Sequence, residues 1–402
     1  MTRSLTVDLK APETFALFSL AVLSSLNSSA YKTVGMVSLA ATLGLALLFG
    51  LGLFALSAGA TPARLGRFWG WVALFIAINV LSALANPGLR SGLFGIGQFV
   101  SVVVLYVVFA CTAWNGYNTR TASGIFALYV LGMAAAALAS RGWRGFAGYF
   151  TNPNSLGAIA FISSYFLALG ASEARPGRGK LLLRICLLLA ILLAIASRTR
   201  SILLSLVVTV ITYWRWEKVT RSQRRFERHI VLWFAAILGG IAGYLVLSRA
   251  LGFETLAEVI QAYTGKMFFS GRQRIWMKVL ELASQKLLLG YGPGAVPEDF
   301  IGETLSAHNT YIQILFQNGV PGLIAFLLLI REVWVNLSGK GGLRNQVTRI
   351  SGAYIIGFLA YQGFEVSITQ NVLSFGIFFW IIAGIGSASS RLPAGIARRS
   401  PA

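Results

Sequence analysis

The stretch Ala-His-Asn-Thr-Tyr-Ile-Gln, 307–313, holds one of the two histidines in the chain. An imidazole changes charge near neutrality, so His308 can take up a proton or hold a charge where few other side chains can. Two other short stretches carry cations in unusual company. Ser-Arg-Thr-Arg-Ser, 197–201, interrupts a long apolar run with Arg198 and Arg200, and Ser-Gly-Arg-Gln-Arg-Ile-Trp, 270–276, sets Arg272 three and four residues before Ile275 and Trp276. A guanidinium is a planar, permanently charged fork that matches phosphate oxygens in pairs. Glu365, in Tyr-Gln-Gly-Phe-Glu-Val-Ser, is a carboxylate inside an apolar segment, able to orient the histidine or an arginine, or to pair with a cation for stability. Each has a plainer reading alone: a satisfied interfacial histidine, or arginines reaching for lipid headgroups. Three basic elements facing one side together point to an anion.

What positions them is a bilayer. Of 402 residues 56% are hydrophobic and 12% charged, and apolar runs of spanning length recur throughout. Backbone polar groups in lipid must be satisfied within the chain, so the fold class is an all-α integral membrane protein, a single polytopic domain over 1–402. The runs place about twelve spans near 13–30, 34–58, 68–86, 92–113, 122–140, 154–172, 181–197, 199–214, 230–248, 310–330, 350–368 and 370–388. The run from Leu181 to Trp214 is too long for one helix and is split into a hairpin at 197–201. The first segment lacks a small-residue cleavage site and is expected to be retained.

Charge orients the bundle. With the amino terminus inside, 22 of the 34 basic residues fall on cytoplasmic segments, and six of the other twelve lie in one long loop, where charge bias counts for less. Both termini are then cytoplasmic, and His308, Arg198, Arg200 and Arg272 share the outer face. The net charge of +21 needs no nucleic acid, because the basic clusters fall where topology and anionic headgroups already account for them. Cys111 and Cys186 imply neither a disulfide framework nor a metal pattern.

The long external loop, 249–308 between the ninth and tenth spans, is the one large enough to build something of its own. Within it the spacing predicts an amphipathic helix, capped by Ser270, with Ile275, Trp276, Val279, Leu280 and Ala283 on one stripe and Arg274, Lys278, Glu281 and Gln285 on the other. Arg272 falls near the apolar side, which a solvated helix would not require. Gly-Tyr-Gly-Pro-Gly, 290–294, reads as a hinge; it lacks the Lys-Ser/Thr ending of a phosphate-binding loop. Polar Gln313, Gln317 and Asn318 suit lipid poorly, and Gly319, Pro321 and Gly322 invite a break, so a short interfacial or re-entrant piece should precede the true tenth span. Asn309 and Tyr311 read as a helix cap and an interfacial anchor, and His229 as a solvated residue at a helix start. Arg141 and Arg144 are secondary candidates for binding phosphate.

Taken in order, Ser/Thr-Arg-Ser at the head of a span, a long loop with Gly-Arg-x-x-Ile-Trp and Gly-Tyr-Gly-Pro-Gly, then His-Asn-x-Tyr leading to Asn-Gly-x-Pro-Gly resemble the superfamily of O-antigen ligases and O-antigen or exopolysaccharide polymerases. The likeness covers about 181–330 by motif. It implies glycan transfer, with inversion, on the periplasmic face of the bacterial inner membrane, from an undecaprenyl diphosphate carrier to a sugar hydroxyl. A diphosphate leaving group needs its charge neutralised, and an acceptor hydroxyl needs a base. By motif, Arg200 and Arg272 would bind the diphosphate, with Arg198 beside them, and His308 would be the base, Glu365 and Asn309 supporting. Arg198 and Arg200, two apart on a helix, would point about 200° away from each other, so that one dominates. No cofactor is expected, and the first external loop, Ser-Ser-Ala-Tyr-Lys, offers no acid for a metal. The compact loop leans toward a ligase, with lipid A core as acceptor, over a polymerase. A polysaccharide or lipid transporter is the alternative from another class, but matching motifs in the two halves are lacking.

Overall fold

In the computed structural model the residues described are 9–26, 65–86, 89–139, 147–248, 262, 272–302, 306–339, 345–370 and 373–390. They form helices and no β-strand: α1 (Ala11–Ser25), α2 (Gly66–Ala85), α3 (Leu89–Cys111), α4 (Gly116–Ala139), α5 (Pro153–Glu173), α6 (Arg178–Ala196), α7 (Arg200–Val219), α8 (Gln223–Leu247), α9 (Arg272–Gln285), α10 (Glu298–Ile301), α11 (Thr310–Val335), α12 (Gln346–Tyr361) and α13 (Leu373–Ser389). Eleven of the twelve expected segments coincide with helices, and the one at 34–58 lies outside the described residues. Among the described residues seven helices are long and apolar enough to cross a bilayer: α2, most of α3, α4, α5, α6, α8 and α11. The helices α1, α12 and α13 have 15, 16 and 17 residues, and α7 carries charges at both ends.

The surface is that of a polytopic membrane protein. On α6 the residues turned outward are Leu181, Leu182, Ile185, Leu188, Leu192 and Ile195, while Cys186, Ala190, Leu193 and Ala194 face in. Both faces are apolar, which in water would expose a greasy stripe and in lipid satisfies each side. Helix association there rests on close packing and interhelical hydrogen bonds rather than on water exclusion. Accordingly α5 and α12, at the centre, join through hydroxyls: Ser164 meets the Tyr354 hydroxyl at 2.7 Å and the Tyr165 hydroxyl meets Ser351 at 2.8 Å. Phe126 stacks on Phe166 with centroids 4.4 Å apart.

The two ends of the bundle are distinct. At one end Arg331 pairs with Glu227, the Trp334 indole donates to the Phe226 carbonyl at 2.8 Å, and Arg67 lies 3.5 Å from Glu332. His229 belongs to this end, but it is not simply solvated: half-buried, it accepts a hydrogen bond from the Trp233 indole at 3.0 Å and lies against Trp334. The other end holds the candidate chemistry.

Candidate functional site

The turn at 197–201 forms as expected, although α6 packs mainly on α5 and α7 on α12, and its alternation explains what it displays. Ser197 and Thr199 are buried, Arg198 and Arg200 exposed. The Ser197 hydroxyl donates to the Ala194 carbonyl at 2.7 Å and to Thr199 Oγ1 at 3.0 Å, and Thr199 Oγ1 reaches Asn154 at 3.1 Å. Hydroxyls on the inner side thus hold the turn and force the guanidinium groups outward. Arg198 adopts φ 52°, left-handed backbone that a non-glycine residue occupies only when its surroundings impose it. It is therefore not helical, and the 200° separation expected of two arginines on one helix does not apply. Arg200 opens α7, where the helix dipole favours an anion.

The amphipathic helix also forms, as α9, with Trp276, Val279 and Ala283 buried. Ser270, its expected cap, lies outside the described residues, as do Arg141, Arg144 and all of 249–271 except residue 262. Trp276 donates to the Ala307 carbonyl at 2.8 Å, locking the helix beneath the histidine segment. Arg272, at its first turn, projects to the bundle as its position suggested. Its Nη2 donates to Glu365 Oε1 at 3.0 Å, and its side chain is 18% exposed.

His308 occupies the other oxygen of the same carboxylate, with Nδ1 3.4 Å from Glu365 Oε2. The acid is 15% exposed and the histidine 38%, so the carboxylate is enclosed while the imidazole is partly exposed. His308 has φ 48°, and with Arg198 it makes up the non-glycine residues of positive φ among those described. A left-handed residue immediately before a helix turns its side chain out of the path the helix would have given it. Asn309 secures that bend: 0% exposed, its Oδ1 accepts from the Tyr311 and Ile312 amides at 3.0 and 3.1 Å, and its Nδ2 donates to the Gly363 carbonyl at 2.9 Å. It is the cap expected. Tyr311 is not an interfacial anchor; it is buried, with its hydroxyl on the Leu359 carbonyl at 2.9 Å.

Glu365 lies elsewhere than expected. It is not inside a spanning helix, because α12 ends at Tyr361 and 362–370 run without helix. The Gln362 carbonyl, which would serve the next helical turn, instead accepts the Thr310 amide at 2.9 Å. Thr310 Oγ1 lies 2.8 Å from Gln362 Oε1 and 2.9 Å from the Glu365 carbonyl. The end of α12 is thus capped by the start of α11, and the two segments carry Glu365 and His308 to one another.

Below, α11 breaks at Gly319 (φ 66°, ψ −170°), as the glycines and proline suggested. Gly-Tyr-Gly-Pro-Gly is bound onto this break rather than serving as a hinge. The amides of Tyr291 and Gly292 donate to the freed carbonyls of Phe316 and Gln317 at 2.9 and 3.0 Å, and the Val320 amide donates to Leu287 at 2.7 Å. The polar residues unsuited to lipid are buried here: Gln313 and Gln317 donate to the Ala295 carbonyl, and Gln370 donates to Gln317 at 2.7 Å.

Arg200 is brought to the same end by register. Helices α7 and α12 pack antiparallel, with Gly357 against Ser205 and Thr209, and Gly352 against Trp216. A side chain at Gly357 would lie 2.1 Å from the Thr209 hydroxyl, so the backbones approach closely enough to fix this pairing. Continued outward one turn, it sets the start of α7 level with the segment that follows Tyr361. The structure therefore joins Arg272, Glu365 and His308 directly and presents Arg198 and Arg200 at their level. Glu365 was legible as an oddity able to meet the histidine or an arginine; that it meets both at once, 93 and 57 residues away in sequence, was not.

Fold and site together define a helical membrane protein with an enclosed acid joining a histidine and an arginine at one end of its bundle. Residues 185–327 match the family model described as O-antigen ligase, a segment that contains the 197–201 turn, Arg272 and His308. The superfamily resembled by the order of the motifs is thus upheld for that segment. No curated protein matches the chain.

Proposed function

We propose that the protein is a membrane glycosyltransferase of O-antigen ligase type, with a twelve-span bundle, cytoplasmic termini and its site at the periplasmic face of the inner membrane. The observation that carries the reading is the Glu365 carboxylate shared between Arg272 and His308. A carboxylate on Nδ1 holds the imidazole in the tautomer whose Nε2 can accept a proton, and it stabilises the charge that follows. In the step so defined, an acceptor hydroxyl attacks the anomeric carbon and gives its proton to His308 Nε2. The bond from that carbon to the carrier's phosphate oxygen breaks, and its electron pair leaves with the diphosphate. Arg200, Arg198 and the remaining N–H groups of Arg272 neutralise that anion, so the chemistry runs without a metal. Asn309 sets the direction of His308 and does not touch substrate.

The test is transfer by the full chain reconstituted in lipid, given an undecaprenyl diphosphate-linked glycan, a chelator and one of two acceptors. Modification of a lipid A core acceptor, falling about 10²- to 10⁴-fold in His308→Ala, is the expected result. Elongation of a second lipid-linked glycan in place of core modification would reassign the acceptor to the polymerase kind, which the same residues serve. Movement of the intact donor across the bilayer with no transfer to either acceptor would replace the enzyme with a transporter.

A further inference from the structure

At the end of the bundle opposite His308, the last turns of α7 and the first turns of α8 border an open cavity of about 360 Å³. Arg215, Lys218, Arg225 and Arg228 line it, and none of their side chains makes an ion pair or hydrogen bond with a described residue. Excess positive charge is expected at a cytoplasmic end, and here four cations share one cavity without an acid among its lining, whereas Arg331 and Arg349 nearby each meet a glutamate. Glu227 is engaged by Arg331, and Glu217 lies 4.0 Å from Arg349. Neither acid lines the cavity.

Two further polar side chains belong to the wall. Thr212 is 1% exposed, and its hydroxyl has no hydrogen-bond partner among the described residues, although a threonine in a membrane helix ordinarily bonds the carbonyl one turn back. His229 accepts the Trp233 indole hydrogen on Nε2, which leaves its own hydrogen on Nδ1. Deeper by one or two turns the lining becomes apolar and outward-facing, with Ile211, Leu232 and Ala236. Cations and donors at the membrane surface above an apolar trough open to lipid make an amphipathic site for an anion.

We propose that this cavity binds an anionic phospholipid of the adjoining leaflet, its phosphate held by Arg215, Lys218, Arg225 and Arg228 and its acyl chains along Ile211, Leu232 and Ala236. Basic pockets between spanning helices recognise such headgroups, each cation near the surface contributing about 1 kcal/mol, or about fivefold in affinity. The site is separate from the transfer chemistry and stands whether or not that reading holds.

The experiment is native mass spectrometry of the full chain released from vesicles of equal parts phosphatidylglycerol and phosphatidylcholine. Wild type should retain phosphatidylglycerol preferentially, and Arg225→Gln and Arg228→Gln should each reduce that preference about fivefold. Thr212→Val removes one hydroxyl and leaves every charge in place, so it keeps the test decisive if the arginine variants insert poorly; a loss of preference is expected there too. Unchanged preference in Thr212→Val and in any inserted arginine variant would overturn the proposal. So would displacement of the lipid by millimolar inorganic phosphate, which would make the cavity a site for a free anion.

Discussion

Glu365 is the residue on which the site turns, because each of its oxygens serves a different base. Replacing it with Gln keeps shape and removes charge, and the new amide can donate to Nδ1, leaving the histidine's hydrogen on Nε2 where the acceptor's proton must go. Transfer should fall about 10²- to 10⁴-fold in Glu365→Gln, with donor affinity retained, and the double variant with His308→Ala should be little worse than either single one. Additive losses in transfer assays would mean that the acid acts apart from the histidine. His308→Gln, which keeps a hydrogen-bonding side chain but cannot take the acceptor's proton, should lose transfer as His308→Ala does. For the arginines, Arg272→Ala removes one proposed diphosphate ligand and also takes the guanidinium from one oxygen of Glu365, whereas Arg200→Ala removes a proposed ligand that does not touch Glu365 in the contacts above. Donor affinity should drop in both, and Lys at either place should rescue in part, lacking the planar fork. Normal donor binding by an Arg200→Ala, Arg272→Ala double variant would sink the diphosphate assignment.

At the scale of elements, what the sequence made legible were the segments whose signals are local. The apolar stripe of α9, the Ser-Arg-Thr-Arg-Ser turn and the break before Pro321 each follow from a few neighbouring residues. The end of α12 does not, since 358–368 contains no proline and its only glycine, Gly363, is one a helix could tolerate. Helix stops there because Asn309 and Thr310, half a hundred residues away, take the carbonyls of Gly363 and Gln362. The hinge expected at Gly-Tyr-Gly-Pro-Gly failed for a related reason: glycine permits mobility and close docking alike, and only the partner decides. At Gly319 the docking is tight enough to test. A side chain there would meet the Leu287 carbonyl oxygen at 2.4 Å, on backbone that L-residues avoid. Gly319→Ala should destabilise the protein by about 3 kcal/mol or more and lower its thermal midpoint in detergent. Gly132→Ala, on α4 with nothing within 4 Å, should be neutral or stabilising by up to about 1 kcal/mol. Equal midpoints for the two variants would show that the break in α11 is not held by the 287–292 segment.

For the whole molecule, composition sufficed for class, because apolar runs and their spacing are set by the bilayer itself, but the count of crossings rests on more than hydropathy. Short α12 and α13 are almost wholly buried, so their passage depends on neighbours rather than on contact with lipid. Orientation is the property on which the proposed chemistry depends, and one helix tests it. Arg225 stands at the start of α8, beside Phe226 and Glu227, which bind Trp334 and Arg331 at the basic end. Phe300 packs on Tyr291 and Phe316, on the Gly-rich segment clasped to the upper part of α11, toward His308. Between them α8 is 25 residues long, about 37 Å of helix and enough to cross once. A reporter fused after Arg225 should therefore be cytoplasmic and one fused after Phe300 periplasmic. If both report the periplasm the basic end has been misplaced, and if both report the cytoplasm His308 cannot meet a carrier presented outside. Either result removes the compartment in which the Arg272–Glu365–His308 group is proposed to work, whatever its geometry.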